Sequence, residues 1–347
     1  MVSIKDVRLS NKTFKDLKVS GLVAVFVGAT SGIGMGTLKQ FSKNATAPKV
    51  YIIGRSKSAA TPLLDEIKAS NPQGNFIFIE TEISLIKNID GVCDEIKANE
   101  KKLDILFLSP GYLSFDGRQE SAEGIDIPHA LRYYSRLRFV NNLIPLLTVA
   151  PNPRVISILA GGKESEIDLN DLEVRNNFSG LKAMSNGTTQ TTLAFEELAK
   201  FYPSITFIHK FPGFVNTGVL SKMMATAKGI YAIPATAVRY LVLPIVNLFS
   251  TSVDEAGERG LFLATSSRYP SAKPNTESTG APLPKGVEVA MSSIVKGGQG
   301  NGVYRLGPLD ESADDTPALI GYRLENSGKT VWEETQAVFD RALERSA

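Results

Sequence analysis

Six short runs, apolar almost throughout, recur along the first two-thirds of this chain. They are LVAVFVGA (22–29), VYIIGR (50–55), FIFIE (76–80), LDILFLSPG (103–111), RVISILAGG (154–162) and SITFIHKFPG (204–213). A strand without an alternating polar face has to be covered on both sides, which is the condition of a buried parallel sheet. The segments between the runs supply that cover. SGIGMGTLKQFSK, TPLLDEIKAS with Pro62 at its start, ISLIKNIDGVCDEIKAN, HALRYYSRLRFVNNLIPLL and TTQTTLAFEELAKFY all read as helices. Right-handed crossovers then predict an α/β fold: one Rossmann-like, doubly wound parallel sheet with helices on both faces and a C-terminal extension. The whole chain reads as a single domain with its core at about 20–265. From about 266 to 312 Gly, Pro, Ser and Thr accumulate, which reads as a surface excursion. A terminal helix follows at about 328–346.

Composition narrows the function class. The formal net charge is +2 with acids and bases interspersed, which argues against a nucleic-acid partner. Cys93 is the single cysteine, so an internal disulfide and a cysteine metal cluster are both excluded. A reducing compartment, the cytoplasm, is expected. The two histidines and the lack of an HExxH pattern predict no metal. The N-terminus lacks the apolar core of a signal peptide. Residues 229–249, GIYAIPATAVRYLVLPIVNLF, are about long enough to span a bilayer. Arg239 sits mid-segment and Pro234 and Pro244 interrupt it, so a lid over an apolar substrate is the better reading, ahead of a membrane-surface patch or a transmembrane helix.

Between the first strand and the first helix lie Gly28, Gly32 and Gly34, with Thr30, Ser31 and Ile33 among them. In such a place one glycine permits the tight turn, one lets backbone approach a diphosphate, and one lets helix and strand pack closely. The helix N-terminus adds unpaired N–H groups and a partial positive charge. The strand–loop–helix context makes these six residues a candidate dinucleotide grip.

The Gly-x-x-x-Gly-x-Gly spacing resembles the short-chain dehydrogenase/reductase family, and the general look of the chain resembles its divergent fungal members. That family's loop reads TGxxxGIG, and Val27 stands where it has Thr. The resemblance runs from about residue 20 to 265. LSPG, with Ser109 and Gly111, stands where the family has NNAG. FPGFVNT matches the family's PG-x-V-x-T, which implies that Pro212, Gly213, Val215 and Thr217 lie along a nicotinamide. Glu82 stands where the family often has an acid near the adenine. The second strand ends in Gly54-Arg55-Ser56. An acid at this point binds a ribose 2′-hydroxyl, whereas the fork of Arg55 suits a 2′-phosphate, so the expected cofactor is NADP(H).

The resemblance also implies four catalytic residues: a Tyr, a Lys four positions later, a Ser and an Asn. None stands where counting places it. Counting back from Pro145, the Asn position falls on Arg132. The Ser position falls on Ala160, with Ser157 three residues earlier. The Tyr position falls on Ser179 or Gly180, and the Lys position on Ala183 or Met184. A YxxxK string at Tyr269–Lys273 is rejected, because Pro270 takes Tyr269 out of helical geometry. Arg132 and Ser157 are therefore the candidate catalytic residues. Arg132 would polarise a carbonyl or hold an anionic substrate, or else form an ion pair on a helix surface. His129 could titrate near neutrality, although a capping or surface role suits it better. His209 reads as structural, and Lys163 with Glu164 as a solvated pair.

Two functions fit. One is an NADP(H)-dependent oxidoreductase with atypical proton handling, acting on a bulky hydrophobic small molecule, as in secondary metabolism. The other is a non-redox cyclase, isomerase or dehydratase, or a cofactor-binding pseudoenzyme, on the same fold. The resemblance further implies a homo-oligomer, unless the C-terminal extension blocks it.

Overall fold

The computed structural model describes residues 1–112, 116–218, 250–276 and 280–345. Among these residues seven strands form one all-parallel sheet in the order β3-β2-β1-β4-β5-β6-β9. They are β1 (Val23–Val27), β2 (Lys49–Gly54), β3 (Asn75–Glu80), β4 (Ile105–Leu108), β5 (Arg154–Ile158), β6 (Thr206–Lys210) and β9 (Val303–Leu306). Two residue pairs, β7 (Val295–Lys296) and β8 (Gln299–Gly300), make a separate small hairpin. β1 lies between β2 and β4, so the chain reverses its winding direction there. In open sheets of this kind the crevice outside the strand carboxyl ends at that reversal is the ligand site.

Two apolar layers clasp the sheet. On one face Val23, Val25 and Val27 of β1 meet α4 (Ile86–Asn99), α6 (Ser135–Leu147), α7 (Gly180–Phe201) and α9 (Ser327–Arg345). On the other, Ala24 and Phe26 meet α1 (Ile4–Asp16), α2 (Gly32–Asn44), α3 (Lys57–Ser70) and α8 (Val253–Thr265). Alternation along the strand sends successive side chains to opposite layers, and both are apolar. No helix among the described residues is long and apolar enough to cross a membrane. The 229–249 segment lies outside the described residues.

Three expectations need correction. First, 266–312 is not merely a surface excursion. β9 falls within it, its four residues are buried, and Phe207 to Lys210 of β6 pair with it. Tyr269 is buried too, edge-on to Phe262 at 5.9 Å and Tyr304 at 5.4 Å. The strand is only four residues long and sits among Gly300, Gly302 and Gly307, so no apolar run announces it. Ion pairs from distant elements fix it. Asp310, in the turn after β9, takes Lys210 at 2.5 Å and Arg259 of α8 at 2.7 Å. Second, α3 starts at Lys57 with Ser56 as its cap, so Pro62 lies inside the helix and not at its start. Third, the 129–147 helix is not uniform. After α5 (Ile127–His129), residues Ala130–Tyr134 form a π-helical turn before α6 begins.

Candidate active site in the β1–β4 crevice

A cleft of about 620 Å³ opens at the carboxyl ends of the strands, a volume within the usual range for small-molecule sites. Its floor is the β1–α2 loop: Gly28, Thr30, Ser31, Gly32, Ile33 and Gly34 all line it. Gly28 has φ +76°, and a Cβ there would stand 2.6 Å from the Pro110 nitrogen. A Cβ on Gly34 would stand 2.8 Å from the Gly28 carbonyl oxygen and 2.9 Å from the Ala29 Cα. Only hydrogen fits at either point, which lets α2 start hard against β1. Ser31, the N-cap of α2, makes no capping hydrogen bond, and the first turn carries no acid. The opening N–H groups of α2 therefore face the cleft with their partial positive charge uncompensated by their own helix.

The walls come from four further segments. Arg55 stands at the end of β2, with its side chain 73% exposed and Nη1 4.0 Å from a Glu82 carboxylate oxygen. Ser109 and Gly111 follow β4, and the Ser109 hydroxyl donates to the Gly28 carbonyl at 3.2 Å. Pro212, Gly213, Val215 and Thr217 follow β6. Thirteen of the fourteen residues assigned to a cofactor from the sequence thus meet around one cleft. The exception is Glu82: Thr81 and Ile83 line the cleft, whereas Glu82 turns aside to accept the Ser84 N–H at 3.0 Å.

Arg132 and Arg136 complete the far wall. Arg132 lies in the π-helical turn and is 7% exposed. Its Nη2 donates to the Tyr112 carbonyl at 2.9 Å. Burial, opposed by the field of Asp126, pulls its pKa below the usual guanidinium value. Arg136 went unnoticed in the sequence. Its Nη1 donates to the Ser157 hydroxyl at 2.7 Å and the Ile158 carbonyl at 2.8 Å, its Nε to the Leu131 carbonyl at 3.1 Å, and its Nη2 to the Pro110 carbonyl. It therefore staples the ends of β4 and β5 to the helix. Burial, reinforced by neighbouring Arg132, lowers its pKa to about 9. A signal existed: Arg132 and Arg136 are four apart and so share a helix face.

Ser157 does not line the cleft. It is fully buried in β5, where its hydroxyl accepts from Arg136. Ser179, Gly180, Ala183 and Met184 are also absent from the lining. Ser179 is the N-cap of α7, accepting from the Lys182 N–H. Tyr269 of the YxxxK string does not line the cleft; it lies within the field of the buried Arg154, at the amino end of β5. Tyr112, overlooked in the sequence, lines the cleft, with its phenol raised by burial and then by Asp126.

Neither histidine lines the cleft, and both are buried. His129 is 1% exposed, neither a surface group nor one that titrates near neutrality; burial lowers its pKa to about 4. His209 is fully buried and likewise lowered to about 4 by burial. The Ala160 N–H donates to its Nε2 at 3.1 Å, so that nitrogen is bare and Nδ1 carries the proton. Nδ1 faces the Thr192 hydroxyl at 2.8 Å, which donates onward to Glu164 at 2.6 Å. Glu164 is therefore not a solvated residue: it is 3% exposed and paired with Arg305 of β9 at 3.1 Å. Lys163 turns the other way, its Nζ 5.5 Å from the centre of the Phe211 ring.

Comparison with known proteins agrees with this architecture. A family model described as short chain dehydrogenase matches residues 22–227. Oxidoreductase AN1596 of Emericella nidulans is 41% identical over 345 residues, covering 99% of this chain and 100% of that protein. The NmrA-like family domain-containing oxidoreductase notO of an Aspergillus species is 36% identical, covering 99% of this chain and 96% of that protein. Among solved structures, YwfH, an NADPH dependent reductase involved in bacilysin biosynthesis, superposes with a TM-score of 0.53 at 16% identity, covering 77% of this chain and 100% of that one.

Proposed function

Since this chain belongs to the short-chain dehydrogenase family, we propose that it is an NADP(H)-dependent oxidoreductase acting on a bulky, apolar small molecule of secondary metabolism. The observation that carries this reading is the convergence of three sequence-distant segments on one cleft: the α2 N-terminus, Arg55, and the Pro212–Thr217 segment. The donor set fits such a dinucleotide. The loop glycines let α2 start hard against β1 at the cleft floor, and the open N–H groups of α2 suit the charge of a diphosphate. The Arg55 fork stands at the rim where a 2′-phosphate would project.

When bound, the nicotinamide supplies or accepts hydride, and the protein's part is to place and polarise the substrate. Arg132 is the group we assign to placing the substrate through an oxygen that carries negative charge, since a buried guanidinium holds such charge far better than water-exposed groups do. Arg136 is a positioning residue, fixing the walls on either side of Arg132. Leu131, Ile158 and Leu159 exclude water from the substrate end. Loss of a positioned general acid costs roughly 10²–10⁴-fold, which slows hydride transfer without forbidding it.

A second reading rests on a specific observation. Among the described residues lining the cleft there is no Lys, His, Asp or Glu, and Tyr112 is the one phenol. That favours a cyclase, isomerase or dehydratase using the cleft as a shaped apolar cavity. One assay separates the two: incubation with substrate while following the near-ultraviolet absorbance of reduced nicotinamide. Product formation coupled to its change supports the oxidoreductase; product without any change overturns it.

A further inference from the structure

Arg132 is a buried cation with no ion-pair partner among the described residues. It is 7% exposed, its one hydrogen bond among the described residues goes to the neutral Tyr112 carbonyl, and no described carboxylate lies within ion-pair distance. Asp126, whose field reaches it, has its oxygens engaged by the Gln119 N–H at 2.8 Å and the His129 N–H at 3.0 Å. Segment 219–249 contains no Asp or Glu in its sequence. The neighbour one turn on, Arg136, adds like charge and is itself satisfied by neutral acceptors alone. Desolvating a charge is costly unless something pairs with it. The N–H groups of α2 and the Arg55 fork already account for the phosphates of a dinucleotide, so the Arg132 charge is left for the other ligand.

We propose that the substrate carries a carboxylate, which Arg132 grips with its free guanidinium edge while an apolar body lies along Leu131, Ile158 and Leu159. The planar fork matches a carboxylate in a two-point contact. The apolar lining beside it accepts the remainder of an amphipathic acid. Arg136 stays bound to the strand ends and holds Arg132 at the proper height. This inference rests on the oxidoreductase reading only for its assignment of the phosphate sites.

The test uses decanoate, 1-decanol and decanamide, which share chain length and differ in the head group. Each is titrated calorimetrically into the full-length protein, with and without saturating NADP⁺. Decanoate is expected to bind at least about tenfold more tightly than 1-decanol or decanamide, the worth of one good charge-assisted contact. Arg132→Gln should bring the three within about twofold, and Arg132→Lys should keep part of the preference. Equal binding of the three probes to the wild type, or an undiminished preference in Arg132→Gln, overturns the proposal. Should Arg132→Gln fail to fold, the wild-type comparison decides alone. If NADP⁺ does not bind but the Arg132-dependent preference persists, the carboxylate site stands and the redox reading falls. If NADP⁺ binds and no preference exists, the reverse holds.

Discussion

The Arg136 guanidinium donates to the Ser157 hydroxyl at 2.7 Å, deep beneath the cleft, and so joins the helical wall to the end of β5. This pairing assigns Ser157 a supporting part. Ser157→Ala removes one of several acceptors of a buried cation, and a loss of about 1–2 kcal/mol in chemical denaturation is expected. Turnover should stay within a few-fold of wild type. A hundredfold fall in kcat with unchanged stability would place the hydroxyl against substrate instead.

Arg55 is expected to set the nucleotide preference. The wild type should bind NADPH more tightly than NADH, and Arg55→Ala should remove the difference, most of the loss falling on NADPH. Calorimetric titration of both nucleotides reads this directly. Equal affinities before mutation would mean that the Arg55–Glu82 contact of 4.0 Å is the arginine's whole function.

Arg132→Ala should reduce kcat/KM by at least about a hundredfold, since removing a preorganised electrostatic contact commonly costs that much. NADPH affinity should remain within about twofold, because α2 and Arg55 are untouched. Full activity in this variant would leave Arg132 with its Tyr112 carbonyl bond and no role in turnover.

Gly34→Ala should abolish nucleotide binding. The added methyl would stand 2.8 Å from the Gly28 carbonyl oxygen and 2.9 Å from the Ala29 Cα, both backbone, so the loop must shift. A stability loss of about 1–3 kcal/mol is expected alongside. Wild-type nucleotide affinity in the purified variant would refute the close-packed cradle.

Buried His129 and His209 make stability fall on mild acidification. Their folded pKa values are lowered to about 4 from the ordinary 6.5. Between those values the unfolded chain binds the extra protons, so their contribution is full above about pH 6.5 and is lost as pH drops towards 4. By pH 5 each histidine should cost about 2 kcal/mol. Tm measured from pH 7 to pH 5 should fall, and more gently in His209→Gln; a flat profile would contradict neutral, buried rings.

The sequence by itself determined the features that depend on local chemistry. Strands without a polar face had to be buried by helices on both sides. A glycine loop between Val27 and Met35 had to turn tightly and present amides. Both are written in adjacent residues. Tertiary structure alone decided what joins distant ones. β9 is a strand because Phe207 to Lys210 of β6 pair with it and because Asp310 is clamped by Lys210 and Arg259. Glu164 is buried because Arg305, 141 positions away, reaches it. Counting from Pro145 found Arg132 and overlooked Arg136, because the count followed a single position; the π-helical turn and the strand ends that set both arginines into the wall appear only once the chain is folded. A charge reads as solvated until folding shows what lies against it, since its cost depends on neighbours that sequence order does not reveal.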